Sequence, residues 1–293
     1  MLEYLTAGGY YMEKEIIENG SFEGERALFD IHDKKIVSSR FHDGESPLKF
    51  AKDVELDNCT FEWKYPLWHS SDIKVTNSNF FKMSRSGIWY TKNIEIKDCI
   101  IDAPKLFRRC DGVSVINSNF SDASETLWNS KNIKLEHVKA KGDYLGFNAE
   151  NVYVDDFILD GNYCFDGGKN IVVKNAILNS KDSFWNCDNV VVENSTIIGE
   201  YIGWNSKNLV FINCKIESNQ GFCYIDGLKL VNCELNNTDL CFESCSNVNA
   251  EVTSVIDSVK NPLSGYIHAK GIKELILDPK YVDMSKVKIK VDN

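Results

Sequence analysis

Four carboxylates, Glu125, Asp143, Asp182 and Glu200, recur seven or eight positions before a repeated Asn, the first sign of acid/base chemistry in the chain. They belong to a row that reads Lys64, Arg85, Lys105, Glu125, Asp143, Asn162, Asp182, Glu200, Gln220 and Asp239, polar throughout and switching from basic to acidic midway. If neighbours in that row lie about 5 Å apart, as adjacent strands do, Glu125 meets Asp143 and Asp182 meets Glu200. Like charges that close raise one pKa and can give an acid beside a base. Carboxylate separations of about 5 to 9 Å are also those of glycoside hydrolysis. The basic block of Lys64, Arg85, Lys105, Arg108 and Arg109 suits a carboxylate or phosphate group.

A second column adds aromatic rings. Trp68, Trp89, Trp128, Trp185 and Trp204 stand four residues before the same repeated position, with Arg108, Phe147, Asp166, Cys223 and Glu243 in the remaining places. Beside them run Asn129, Asn148, Asn186 and Asn205. Rings next to carboxylates, guanidinium groups and amides make a surface for stacking and hydrogen-bonding sugars. Charges are rarely buried unpaired, so Arg108, Asp166 and Glu243 place this column outside. The competing arrangement is an internal aromatic stack, and it would remove the site. An outward column also requires a bend near the small residues two positions before the repeat, because strict alternation fails there.

These positions have meaning only if the chain repeats in space. A unit of nineteen to twenty-one residues recurs ten times between Asp53 and Asn247. Each begins at an Asn, Asp or Gly, from Asp53, Asp72 and Asn93 to Gly227 and Asn247, residue types that tolerate a left-handed corner. Val54, Ile73, Ile94, Val113, Ile133, Val152, Ile171, Val190, Leu209 and Leu228 follow one position later, and a second apolar column lies two further on. Residues two apart share one face of a strand, so both columns are core. Five after the anchor comes a second polar corner (Asn58, Asn77, Asp98, Asn117, His137 and onward), which predicts a hydrogen-bonded asparagine ladder with His137 as a corner variant. The period is too short for helical repeats and carries no leucine-rich consensus. The expected fold is all-β, a single-stranded parallel β-helix of about ten coils, in one continuous domain. Residues 1–40 are its expected N-terminal cap, 41–247 the helix, and 248–293 a C-terminal coil and cap. Met12 is an alternative start.

A net charge of −10 argues against nucleic-acid binding. No apolar run approaches the eighteen or so residues of a membrane span, and no secretory signal is seen, so a cytoplasmic setting is expected. The ten cysteines fall in small-residue columns, Cys59, Cys99, Cys214 and Cys233 in one, Cys110, Cys187 and Cys245 in another. They read as core fillers, and neither a metal nor a cofactor is called for.

The blocks G-E-S-P-L-K (44–49), W-K-Y-P-L-W (63–68), R-S-G-I-W-Y (85–90), A-P-K-L-F-R-R (103–109), E-T-L-W-N (125–129), G-N-Y-C-F-D-G (161–167), F-W-N-C (184–187) and G-E-Y-I-G-W-N-S-K-N-L (199–209) resemble a bacterial family catalogued as domain of unknown function 3737. The resemblance runs from about Glu18 to Asp278. It implies a right-handed β-helix of the pectate-lyase-like type and carries no activity or site residue with it. The Asp-Asp signature of polygalacturonases and the calcium carboxylate cluster of pectate lyases are not found.

The sequence therefore predicts a ligand-binding ledge for a saccharide or sugar-containing metabolite. Glu125, Asp143, Asp182 and Glu200 are the acid/base candidates, for hydrolysis or elimination if it is an enzyme. Arg85, Arg108 and Arg109 would position an anionic group. Trp89, Trp128, Trp185 and Trp204 would stack, and Asn129, Asn148, Asp166, Asn186 and Asn205 would bond hydroxyls. The alternative is a non-catalytic scaffold whose aromatic column binds protein or closes a homo-oligomer.

Overall fold

The computed structural model describes residues 14–292. The chain winds into an all-β parallel solenoid of about 15 turns. Among the described residues the only helical element is a three-residue 3-10 turn at Lys82–Ser84. The first apolar column stacks as its spacing requires: Val54 on Ile73, Ile73 on Ile94, Ile94 on Val113, and so on to Leu209 on Leu228. Every member is buried, and so is the column two residues on. At roughly 1.5–3 kcal/mol per fully buried aliphatic side chain, these columns supply most of the driving force. A third inward row continues the core, with Phe22, Phe41, Phe61 and Phe80 stacked at centroid distances of 5.0, 5.0 and 4.6 Å.

Both corners are left-handed, which is why Asn, Asp and Gly occupy them. The anchors Asp53, Asn132 and Asn189 have φ of +51°, +55° and +63°. Asn58, Asn117 and His137 at the second corner have φ of +52°, +46° and +52°. A corner side chain left without a partner would cost part of what the columns provide, and ladders prevent it. Asn151 donates to Asn132 at 3.1 Å, Asn170 to Asn151 at 3.0 Å and Asn189 to Asn170 at 2.9 Å. The second corner does the same, Asn232 to Asn213 at 2.8 Å and Asn213 to Asn194 at 3.2 Å. His137 takes its place there against Asp156 at 2.7 Å.

The solenoid is longer than the ten coils the motif marks. Strands Glu15–Glu18 and His32–Val37 already pair in the common register, Ile17 with Ile36 and Ile36 with Leu56. At the other end Val248 pairs with Gly265 and Gly265 with Val287. The motif misses these coils because Glu15, Lys34 and Gly265 replace an apolar residue in its first column. Met12 and the rest of residues 1–13 lie outside the described residues.

All ten cysteines are free and buried. Burial pushes the Cys59, Cys99 and Cys110 thiols up to about 11 and those of Cys187, Cys223 and Cys245 up to about 12, which keeps them protonated and unreactive. Among the described residues no group of three or more His, Cys, Asp or Glu side chains is placed to hold a metal.

Candidate functional site

The tryptophan column stands outside the coil. Leu67, Ile88, Leu127 and Phe184, one residue earlier, are buried, whereas Trp68, Trp89, Trp128, Trp185 and Trp204 are half-buried. The bend that alternation demanded is a further left-handed residue in each of these turns. His69, Tyr90, Arg109, Asn129, Asn186 and Asn205 have φ of +55°, +61°, +53°, +51°, +52° and +55°. Each returns the following small residue (Ser70, Thr91, Cys110, Ser130, Cys187 or Ser206) to the interior.

Outward indoles still need a partner for N–H. Trp68 donates to the carbonyl of Ser86 at 2.6 Å, Trp89 to Lys105 at 3.0 Å, Trp128 to Tyr144 at 2.7 Å and Trp185 to Tyr201 at 2.7 Å. Each bond ties one coil to the next. The rings also stack along the rod, Trp68 on Trp89 at 5.4 Å and 10°. Arg108 comes next, its guanidinium 4.6 Å from the centroids of both Trp89 and Trp128. Glu125 neutralises it at 3.3 Å and Lys105 at 3.1 Å. Arg108 Nε is buried without a hydrogen-bond partner. Trp128 then meets Phe147 at 5.2 Å. There the ladder breaks. Asp166 occupies the next place, followed by Gly167 and Gly168, and stacking resumes with Trp185 on Trp204 at 5.7 Å and Trp204 on Tyr224 at 4.8 Å.

The charged row of the sequence divides into two rows. The backbone N–H of Glu125 donates to the carbonyl of Asp143, that of Tyr144 to Asn162, that of Tyr163 to Lys181 and that of Asp182 to Glu200. Lys105, Glu125, Tyr144, Tyr163, Asp182 and Tyr201 thus share one left-handed column. Asp143, Asn162, Lys181 and Glu200 precede it by one residue. Coils of unequal length slip the count by one, so distance from the anchor does not identify a column. As a result Glu125 faces cations, not the carboxylate of Asp143. Asp143 instead accepts the backbone N–H of Asn162 at 2.7 Å, a corner-fixing bond. Asp182 and Glu200 do interact. Asp182 is only 9 % exposed, and burial, followed by the charge of Glu200, holds its carboxyl above the usual aspartate range. Glu200 is paired with Lys181 Nζ at 2.9 Å. Tyr163 lies against Asp182 and stacks on Tyr144 at 4.4 Å and 4°.

The asparagines are engaged with one another. Asn148 donates to Asn129 at 3.3 Å, Asn205 to Asn186 at 2.9 Å, and Asn186 to Asp166 at 2.9 Å. Arg85 and Arg109 are exposed, Arg109 lying 5.7 Å over the Tyr90 ring. A groove of about 430 Å³ is lined by Asn162, Lys181, Glu200, Glu217 and Asn219 among others, and Asp166 and Trp185 do not line it. Tyr144, Tyr163 and Lys181 were not singled out from the sequence. The pairs Asp143-Tyr144 and Asn162-Tyr163, one coil apart, were the available signal. A groove of about 440 Å³ along Glu55, Lys74, Glu95 and Lys134 contains none of the candidates, and Lys14 bonds Asp53 and Glu55 within it at 2.7 and 3.0 Å.

Solved structures with a similar chain path are all distant. The surface adhesin PfbA of Streptococcus pneumoniae is 11% identical, with 97% of this chain and 85% of that chain covered, at a TM-score of 0.44. The tailspike protein of E. coli bacteriophage HK620 is 9% identical, with 94% and 72% covered, at 0.45. The A-module of the mannuronan C-5 epimerase AlgE4 of Azotobacter vinelandii is 9% identical, with 95% and 88% covered, at 0.30. No curated protein matches the chain. One family model spans residues 15–290, nearly every coil of the solenoid, and by that match the chain belongs to the family described as Protein of unknown function (DUF3737).

Proposed function

We propose that the break in the aromatic ladder is a saccharide-binding site formed by Tyr163, Asp166, Lys181, Asp182, Trp185 and Glu200. The observation that carries this reading is the carboxylate of Asp166 between the places of Phe147 and Trp185 in the tryptophan column, with Lys181 and Glu200 of the neighbouring row lining a groove of about 430 Å³. The carbon face of a sugar ring fits against Trp185, and its hydroxyls find Asp166, Lys181 and Glu200. Such a mix of one aromatic surface and a few polar groups is what small polar ligands require. Should the site be catalytic, Asp182 is the proton donor and Glu200 the base, because burial keeps the first protonated more readily and the second is the more exposed carboxylate of the pair. Hydrolysis or elimination on a carbohydrate is the corresponding reaction class.

The test is a thermal-shift and calorimetric screen of the purified chain against neutral sugars, uronic acids and sugar phosphates. A ligand raises the melting temperature by mass action. The reading predicts a saturable shift that Trp185→Ala abolishes and Trp89→Ala leaves intact. A shift lost in Trp89→Ala but kept in Trp185→Ala would move the site to the basic half, and no shift with any sugar would sink the proposal.

A further inference from the structure

Among the described residues, the first and last strands of the solenoid each leave apolar surface uncovered, in complementary ways. The partly buried apolar residues packed against the core are Ile17, Phe22, Leu28 and Ile31 at one end and Ile272 and Ile289 at the other. Each end is therefore half a core layer. At the first, Ile16 and Phe29 are 61% and 45% exposed. At the second, Ile272, Leu275, Met284, Val287 and Val291 line an apolar groove of about 530 Å³. Among the described residues, the strand Glu15–Glu18 pairs on one side only, with His32–Val37, and the strand Val287–Val291 pairs only with Gly265–Ile276. Free strand edges over apolar surface are templates for another strand.

Charge selects which strand. The first edge reads Glu-Ile-Ile-Glu and the last Val-Lys-Ile-Lys-Val. Two copies of the first edge would bring glutamates together, and two copies of the last would bring lysines together. The last edge of one copy on the first edge of another brings opposite charges together. Register agrees with charge. The inward column runs from Ile17 through Ile36 and Leu56 to Ile267 and Ile289, and the outward column one residue after it runs from Glu18 through Val37 to His268 and Lys290. Continuing both columns by one coil sets Ile289 on Ile17 in the core and Lys290 beside Glu18 outside.

We infer that copies of this chain associate head to tail, the strand Val287–Val291 of one adding in parallel to the strand Glu15–Glu18 of the next. Such a contact is heterologous and does not close, so it produces linear oligomers whose length grows with concentration. It leaves the third face of each copy open.

The test is sedimentation velocity of the full chain over a hundredfold concentration range at low and high salt, with circular dichroism melts to verify folding. Mass is expected to rise in single-chain steps and to fall with salt. Lys290→Glu or Glu18→Lys, each placing like charges across the junction, is expected to weaken association about tenfold. Mixing the two variants restores an opposite-charge pair at every junction and should restore assembly. A folded chain that stays monomeric throughout the range would overturn the inference. So would a dimer of fixed mass, or assembly indifferent to both variants.

Discussion

The third face is built in two ways along one rod. From Trp68 to Phe147 each ring has a neighbour, and the one place without a ring is filled by Arg108 between Trp89 and Trp128. At Asp166 the same place holds a carboxylate and the stack stops. Ring faces are electronegative, so a guanidinium completes the ladder and a carboxylate cannot. Glu125 allows Arg108 to sit there by neutralising it on the outer side. The same column therefore yields a closed half and an open half, and they differ in the sign of the charge at the place without a ring.

That contrast is broken most severely at Arg108. Arg108→Ala removes two cation–π contacts and the packing of the aliphatic stem, and should cost about 2–3 kcal/mol in urea unfolding. Asp166→Ala, in the equivalent column of the open half, should stay within about 0.5 kcal/mol. Equal losses at both positions would erase the distinction between the halves.

The reverse change has a smaller effect. Asp166→Arg offers a cation to the ring of Trp185 on one side and Phe147 on the other, with Asp182 near enough to interact with it. A gain of up to about 1 kcal/mol is expected from closing the ladder, together with loss of any sugar-induced thermal shift. A variant that is destabilised and still binds would show that the break is not the site.

The sequence carried the first two sides of the coil nearly whole and the third only in outline. Both apolar columns and both corners were legible because each constraint acts at a fixed distance from a left-handed residue, as with Asn132 or Asn194. The tryptophans were placed outside by the charges sharing their column. The bend at His69, Tyr90 and Arg109 was legible as a necessity but not as a conformation, since these residue types do not advertise a left-handed backbone. The coil-length slip hid the pairing of Glu125 with Lys105 and Arg108 behind an expected contact with Asp143. The end coils were missed where Glu15 and Lys34 replace the apolar signal with an ion pair of their own.

Asp182 gives the open half a pH dependence of its own. Its folded pKa is raised, chiefly by burial, so its contribution to stability is complete below the ordinary aspartate value and is lost as pH rises through the folded value. Asp182→Asn removes that loss. The variant should be the more stable of the two at pH 7, and the difference should close below about pH 3, where the side chain is protonated whether folded or not. Denaturant midpoints at both pH values decide the matter. A gap that widens on acidification would mean that the ionised carboxylate is stabilised, and Asp182 would lose its role as a proton donor.

The smallest effect expected is on the regular side of the coil, at His137. Its ring bonds Asp156 at 2.7 Å, and that hydrogen bond raises its pKa above the usual histidine value. The sign is therefore opposite to that of a depressed carboxyl. The contribution is complete below the ordinary histidine range and is lost as pH rises through the raised value. His137→Asn supplies the amide that other second corners use, so at pH 8 the variant should match the parent, while at pH 5.5 it should be slightly less stable. Urea midpoints at the two pH values read the difference. The comparison separates two uses of one repeat. On a face organised as a ladder, residues that satisfy the corner are interchangeable once charge is removed. On the third face, Arg108 and Asp166 hold equivalent places and are not interchangeable, because ring faces on either side respond to the sign of the charge.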